Sequence, residues 1–202
     1  MAANDLTWNL LAKAAQKLGP RNFDEYFELR RLLASRHPAD RHEFRTRFAK
    51  YYKLNSAGLT EAFKRRYFQL LFAFRPPGPK DPYTTLLRTL YQFPRLQGDQ
   101  CLQVVFVSKL VAIHDESRPL FDSNVSEFFG MSRPEVGSIR FQIAGFVENL
   151  LRIQKEYESW AQDPHFHRIV KPLIRKHPKL GTCHSTRLCD FLVWTVGAYE
   201  LK

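Results

Sequence analysis

Lys109 and Asp122 are the two side chains whose types and sequence setting are best suited to chemistry. Lys109 interrupts an apolar run at residues 103–113 (QVVFVSKLVAI), and Asp122 follows a loop stiffened by Pro119. A lysine amid so much hydrophobic sequence must either extend its ammonium group to the surface or lie desolvated in a pocket. A desolvated lysine is a candidate nucleophile, and a fixed carboxylate can orient water or stabilise a positive charge.

The sequence around this pair predicts two helices joined by a short loop. The apolar run predicts a buried helix from about residue 104 to 113, and the loop ends at Asp122. Asp122-Ser123-Asn124 then opens a second helix, because Asp and Ser both favour helix N-caps. Two plainer roles remain open at this point. Asp122 can be an N-cap only, and Lys109 can be a surface lysine at the end of its helix.

These residues resemble the helix-hairpin-helix DNA glycosylase superfamily over about residues 82–131. Residues 121–125 (FDSNV) are similar to the family's V-D-x-x-V element, which carries an essential aspartate. Residues 108–112 (SKLVA) are similar to its lysine position. The family's L-P-G-x-G hairpin is reduced here to a trace in residues 96–99 (LQGD). The run from Lys109 to Asp122 is shorter than usual by about one and a half helical turns.

The resemblance implies an all-α, two-lobed fold with a DNA-facing cleft, and a DNA glycosylase activity. Such an enzyme flips a damaged or modified base out of duplex DNA and hydrolyses its N-glycosidic bond. Asp122 would stabilise the cationic sugar and orient water, while Lys109 would form a Schiff base in a bifunctional enzyme. Because the short run displaces Lys109, we expect a monofunctional enzyme in which this lysine only assists, from the DNA-facing end of its helix. The resemblance implies no metal or organic cofactor. It is compatible both with genome repair and with attack on modified phage DNA.

A segment rich in basic and aromatic residues, at positions 41–75, suggests phosphate neutralisation beside stacking surfaces. Its alternative interpretation is a solvated basic face over an aromatic core. The residues that we predict to bind DNA are Ser108, Asn124, Lys53, Lys64, Arg65, Arg66 and Arg140. The residues that we predict to line a base pocket are Tyr51, Tyr52, Tyr67, Tyr91 and Trp194.

Composition favours an anionic partner and excludes several other classes of function. The 202 residues carry 31 Lys and Arg against 20 Asp and Glu, a formal net charge of +11. Such an excess suits a polyanion, so DNA is the expected partner, and we expect a monomer. The sequence has no signal-peptide pattern and no apolar run long enough for a membrane span, so we expect a cytoplasmic protein without membrane contact. Phosphate-loop, dinucleotide-binding and α/β-hydrolase motifs are missing, and no histidine or cysteine spacing predicts a metal site.

Two other functions stay open from the sequence. One is a helical nucleic-acid-binding protein without catalysis. The other is a helical interaction protein with an acidic partner.

Apolar residues at helical spacing predict an all-α chain. We expect one globular unit with approximate lobes at 1–75 plus 134–202 and at 80–133, divided at the Pro- and Gly-rich residues 76–79. The predicted helices are about 5–18, 22 or 24–35, 41–52, 59–74, 82–93, 104–113, 125–131, 134–160, 166–177 and 185–199.

Overall fold

A computed structural model describes residues 4–35, 37–75, 81–132 and 137–199, and the regular secondary structure of this part of the chain is helical. The only strand-like pairing among these residues is an isolated antiparallel bridge between Leu59 and Arg95. The all-α prediction is therefore confirmed.

Ten α-helices and two short 3₁₀ turns form the described part of the chain. The first five helices are α1 (Asp5–Lys17), α2 (Pro20–Ala34), α3 (Pro38–Tyr51), α4 (Glu61–Ala73) and α5 (Tyr83–Tyr91). The other five are α6 (Val104–His114), α7 (Ser123–Phe128), α8 (Ile139–Gln162), α9 (Pro164–Lys176) and α10 (Ser185–Tyr199). The 3₁₀ turns are Leu54–Ser56 and Pro178–Thr182.

Prolines begin helices here more often than the sequence pattern suggested. Pro20 and Pro38 were expected to lie in breaks between helices, but they are the first residues of α2 and α3. Pro164 likewise begins α9, two residues before the predicted start. A proline suits the first turn because its fixed φ is already helical and its missing N–H has no helical partner there.

The start of α8 is later than the sequence predicted. We expected this helix to begin near residue 134, whereas it begins at Ile139 with Ser138 as its N-cap. Residues 133–136, which include most of the predicted first turn, lie outside the described part of the chain. The predicted division at residues 76–79 falls outside it as well.

Backbone contacts divide the chain into two compact units. Unit 1 comprises Met1–Asn22 and Glu116–Lys202, and unit 2 is Phe23–Asp115. The lobes predicted from the sequence, 1–75 plus 134–202 and 80–133, have different boundaries. Both schemes place the N-terminal helix with the C-terminal helices.

The core of unit 2 is aromatic. Phe44 and Phe48 of α3 are fully buried, as are Phe63 and Tyr67 of α4. The Phe48 ring centroid lies 6.0 Å from that of Tyr67. Helix α6 completes this core with an almost uninterrupted run of buried residues, which explains why its sequence is apolar on every side.

Unit 1 is organised around α10, which packs against α1, α7 and α8. Eleven of the fifteen residues of α10 are buried, including Leu192, Val193 and Val196. A helix surrounded by others on most sides must be apolar nearly all round, and charged residues within it need partners. Two such residues, Arg187 and Asp190, lie close to the candidate site.

None of the described helices combines the length and the apolar character that a membrane crossing requires.

Candidate active site

Asp122 is the N-cap of α7, as the sequence predicted. Its backbone is extended (φ −145°, ψ −172°), and the Val125 N–H donates to its Oδ1 at 3.1 Å. The Ser126 N–H donates to its carbonyl oxygen at 2.8 Å. The side chain is half-buried. One hydrogen bond to the carboxylate and one to the carbonyl oxygen tie Asp122 to the first turn of α7, and the carboxylate keeps lone pairs for a ligand or water.

A buried ion pair on α10 anchors the loop that leads to Asp122. Arg187 Nη1 lies 2.6 Å from Asp190 Oδ2, and both side chains are 1% exposed. The Leu120 N–H donates to both Asp190 carboxylate oxygens at 3.2 Å. Arg187 Nη2 donates to the Arg118 carbonyl oxygen at 3.2 Å. The loop is thus bound to α10 at two places, the nearer of them two residues before Asp122.

The ionisation of Asp190 is finely balanced. Burial raises the pKa of this carboxyl group to about 7, against the lowering effects of Arg187, the Leu120 N–H and Tyr157. The negative charge of Asp122 raises it slightly further. The two carboxyl groups are therefore close enough for the charge of Asp122 to act on Asp190.

A second contact between α10 and α7 is a close packing of backbones. An added Cβ at Gly197 would lie 2.6 Å from Asn124 Cβ and 2.8 Å from Asn124 Cα. Real Cβ atoms do not approach so closely, and only glycine lets the two helices meet at this distance. Asn124 is two residues after Asp122, so α10 supports the candidate site on both sides of the aspartate.

Sequence reasoning did not identify Asp190, Arg187 or Gly197. A signal was nevertheless present, because Arg187 and Asp190 are three residues apart within an apolar helix, where neighbouring opposite charges indicate a buried pair. Nothing in the sequence indicated that this pair would bind the loop before Asp122, since the two segments are about seventy residues apart.

Lys109 lies in the middle of α6, not at its end as the sequence suggested. Its side chain is 8% exposed, and its Nζ is 5.1 Å from the Tyr52 ring centroid and 5.4 Å from that of Phe106. The ammonium group thus lies beside two aromatic rings that stabilise its positive charge. Ser108, next to it, is fully buried, and its hydroxyl donates to the Val105 carbonyl at 2.9 Å.

The two predicted catalytic residues belong to different units, Lys109 to unit 2 and Asp122 to unit 1. Within unit 2 the structure brings Lys109 together with Tyr52, whose ring lies 4.7 Å from that of Tyr51. Within unit 1 it brings Asp122 together with Asn124 at the start of α7. The catalytic roles of both residues remain predictions.

The aromatic residues predicted for a base pocket have very different surroundings. Tyr67 is fully buried, and its hydroxyl donates to the Phe106 carbonyl at 2.9 Å. Tyr52 is buried beside Lys109, whereas Tyr51 and Tyr91 are half-buried. Trp194 is 39% exposed and lies on α10 in unit 1. Tyr67 is part of the unit 2 core, as the alternative interpretation of the aromatic segment expects, and Tyr52 is buried as well. Tyr51, Tyr91 and Trp194 keep part of their surface exposed.

Tyr51 borders an open groove in unit 2, with a volume of about 570 Å³, that is otherwise lined by charged residues. Arg47 spans this groove, donating through Nε and Nη2 to the two carboxylate oxygens of Glu25, each at 2.8 Å. The hydrogen bond from Arg47 lowers the pKa of Glu25. A flipped base needs aromatic and apolar walls. This groove has one tyrosine and an internal ion-pair network, so its chemistry does not match such a base.

The predicted DNA-binding basic residues of unit 2 differ in how far their charge is already neutralised. Lys64 Nζ lies 2.9 Å from Glu61 Oε1, and Arg66 approaches Gln69 Oε1 at 3.4 Å. Lys53 and Arg65 are exposed. In unit 1, Arg140 is exposed in the first turn of α8.

No family model matches this sequence, and neither a curated protein nor a solved structure matches it. Within the described residues, His, Cys, Asp and Glu side chains form no group of three or more that is placed to hold a metal ion.

Proposed function

We propose that this protein is a DNA glycosylase that extrudes a damaged or modified base from duplex DNA and hydrolyses its N-glycosidic bond with Asp122. The observation that carries the proposal is the anchoring of Asp122. Its carboxylate caps α7, and its loop is bound to the buried Arg187–Asp190 pair. An isolated N-cap needs no such support, whereas electrostatic catalysis depends on a charge held in a fixed position.

The proposed chemistry has one bond formed and one broken at the sugar C1′. The base departs with the bonding electrons, the sugar gains oxocarbenium character, and the Asp122 carboxylate stabilises that positive charge. A water oxygen then bonds to C1′, while its proton passes to the carboxylate and on to solvent or the departing base. The products are a free base and an abasic site in an intact strand.

Asp122→Asn tests the proposal directly. Asn caps helices about as well as Asp, so folding should be retained. Base excision should fall by at least about a hundredfold, because a positioned acid–base group contributes about that much or more. The assay is a screen of duplexes with damaged or hypermodified bases for alkali-labile sites, with thermal unfolding of each variant measured in parallel.

Asp163→Asn is the matched control. Asp163 caps α9 in the same unit, accepting the His165 N–H at 2.8 Å, so the substitution makes the same chemical change at another helix start. It should leave excision unchanged. Equal excision by the wild type and Asp122→Asn would refute the catalytic aspartate, as would a wild type that produces no alkali-labile site in any of the duplexes.

A helical nucleic-acid-binding protein without catalysis is the second candidate function. It is favoured by the net charge of +11, which suits a polyanionic partner whether or not chemistry follows. Duplex binding with steep salt dependence, but without alkali-labile products, would select this candidate.

A further inference from the structure

Helix α9 and the 3₁₀ turn after it lie in a stretch of unit 1 whose charged residues are all basic. Residues 164–189 contain six Lys and Arg and no Asp or Glu. One of the six is Arg187, which is buried in its ion pair with Asp190. The other five are exposed and are called here the α9 basic face: Arg168, Lys171, Arg175, Lys176 and Lys179.

The apolar side of α9 is turned into unit 1, and this leaves the charges on the outside. Phe166, Val170 and Leu173 are buried, at spacings of four and three residues that define one side of a helix. Arg168, Lys171 and Arg175 follow the same spacings about half a turn away. These three therefore form a row along the exposed side, extending about 10 Å at 1.5 Å per residue.

Four members of the face form no ion pair within the described part of the chain. Arg168, Lys171, Arg175 and Lys176 make none with any residue that the structure describes. The nearest acid along the chain is Asp163, whose pKa is lowered chiefly by hydrogen bonds from His165 and, to a smaller extent, by the charge of Arg168.

Two of the basic residues of unit 2 contrast with this. Lys64 is paired with Glu61, and Arg47 contacts Glu25 and Glu43. A phosphate that approaches these side chains must compete with a carboxylate, whereas at the row Arg168, Lys171 and Arg175 it has no such competitor among the described residues.

We infer that the α9 basic face docks the phosphate backbone of duplex DNA. The row of three charges covers about three base-pair steps of 3.4 Å, which matches a run of consecutive phosphates. A membrane surface fits less well, because helices that bind one present apolar side chains outward, and those of α9 are buried within unit 1. The inference rests on the DNA partner of the proposed function but does not depend on catalysis.

The test compares two triple variants that carry the same net charge. The first is Arg168→Gln, Lys171→Gln and Arg175→Gln in the full chain. The second, the control, is Arg21→Gln, Arg152→Gln and Lys155→Gln, which removes three exposed charges from elsewhere in unit 1. The probe is a fluorescein-labelled, undamaged duplex of about two helical turns, titrated by anisotropy at several salt concentrations.

The first variant should bind the duplex at least about tenfold more weakly than the control at low salt. Its slope of log K against log salt should be less negative by about 2 to 3, since each phosphate contact contributes about 0.9. Thermal unfolding should be unchanged in both variants, because exposed substitutions have small effects.

Equal losses in the two variants would overturn the inference, because they would show that only net charge matters. A first variant that loses affinity for phosphatidylserine vesicles or an acidic protein but not for the duplex would overturn it too. Because the duplex is undamaged, binding is measured apart from excision. A protein that depends on the α9 basic face but excises no base would retain this inference and lose the proposed function.

Discussion

Asp190 has a carboxyl group with almost no exposed surface, and its surroundings act on it in opposite directions. Removal from water disfavours the charged form, whereas Arg187 and the Leu120 N–H favour it. Desolvation is the largest of these effects, so the pKa is raised to about 7. The anchor of the Asp122 loop is therefore a group that titrates close to neutral pH.

Comparison of the wild type with Asp190→Asn should reveal this titration in the stability of the fold. Below about pH 4 the aspartate is protonated in both the folded and the unfolded chain. Between about pH 4 and 7 the unfolded chain loses this proton while the folded chain keeps it, so the free energy of unfolding falls as pH rises. Asn has no such titration. The wild type should therefore lose stability relative to Asp190→Asn across this window.

Denaturant unfolding of both proteins at a series of pH values measures the difference. Groups that titrate in both proteins contribute equally to the two free energies of unfolding, so their contributions cancel in the difference. His114, whose pKa is lowered by burial, is one of them. If the difference between the two proteins instead stays constant from about pH 5 to 7, Arg187 dominates over desolvation and the carboxyl group is ionised in the folded chain throughout that window.

At the residue scale, the sequence predicted those features that depend only on neighbouring residues. The cap formed by Asp122 could be read from the Asp-Ser-Asn sequence, because an N-cap depends on its own and the next three residues. The setting of Lys109 could not be predicted. The Tyr52 ring beside it comes from the end of α3, more than fifty residues earlier. The spacing of apolar residues along the sequence does not indicate such a contact.

At the scale of elements, all ten helices were expected, because each contains apolar residues at helical spacing. The errors lie at helix starts that involve proline. Pro20 and Pro38 can end one helix or begin the next, and an isolated dipeptide does not distinguish these roles. The packing of α7 on α10 was beyond prediction, since Gly197 looks like an ordinary helix-weakening glycine until Asn124 is placed against it.

Gly197→Ala should separate these two helices. Overpacking of a close contact costs about 1–3 kcal/mol, and the better helix propensity of alanine offsets up to about 1 kcal/mol of that. We expect a net loss of about 1–2 kcal/mol in the free energy of unfolding. Excision should also fall, because the shift of Asn124 moves the start of α7 that Asp122 caps.

Gly19→Ala is the matched control, as an added Cβ there has its nearest neighbour 4.0 Å away, at Asn22 Oδ1. It should be neutral or slightly stabilising. A Gly197→Ala protein as stable as the wild type would show that the two helices can move apart without cost.

At the scale of the whole molecule, composition predicted the charge but not its distribution. The +11 excess was visible in the sequence, and the mixture of basic and aromatic residues at positions 41–75 predicted a DNA-binding role for that segment. The structure shows that Lys64 in this segment is paired with Glu61, while Arg168, Lys171 and Arg175 form no ion pair with any residue that the structure describes. Which charges remain available for a partner depends on side-chain neighbours, and these follow from the fold.

Lys109 determines whether the proposed excision is monofunctional. A Schiff base requires a neutral amine within bonding distance of the sugar carbon, whereas the rings of Tyr52 and Phe106 favour the charged ammonium form. We therefore expect wild-type protein treated with borohydride during turnover to form no covalent adduct with DNA. Abasic sites should accumulate in intact strands until alkali is added. Lys109→Gln should retain excision at a reduced rate, and Lys155→Gln, at an exposed position of α8, serves as the control for loss of one positive charge. Efficient trapping in the wild type and in Lys155→Gln that disappears in Lys109→Gln would identify Lys109 as the nucleophile and make the enzyme bifunctional.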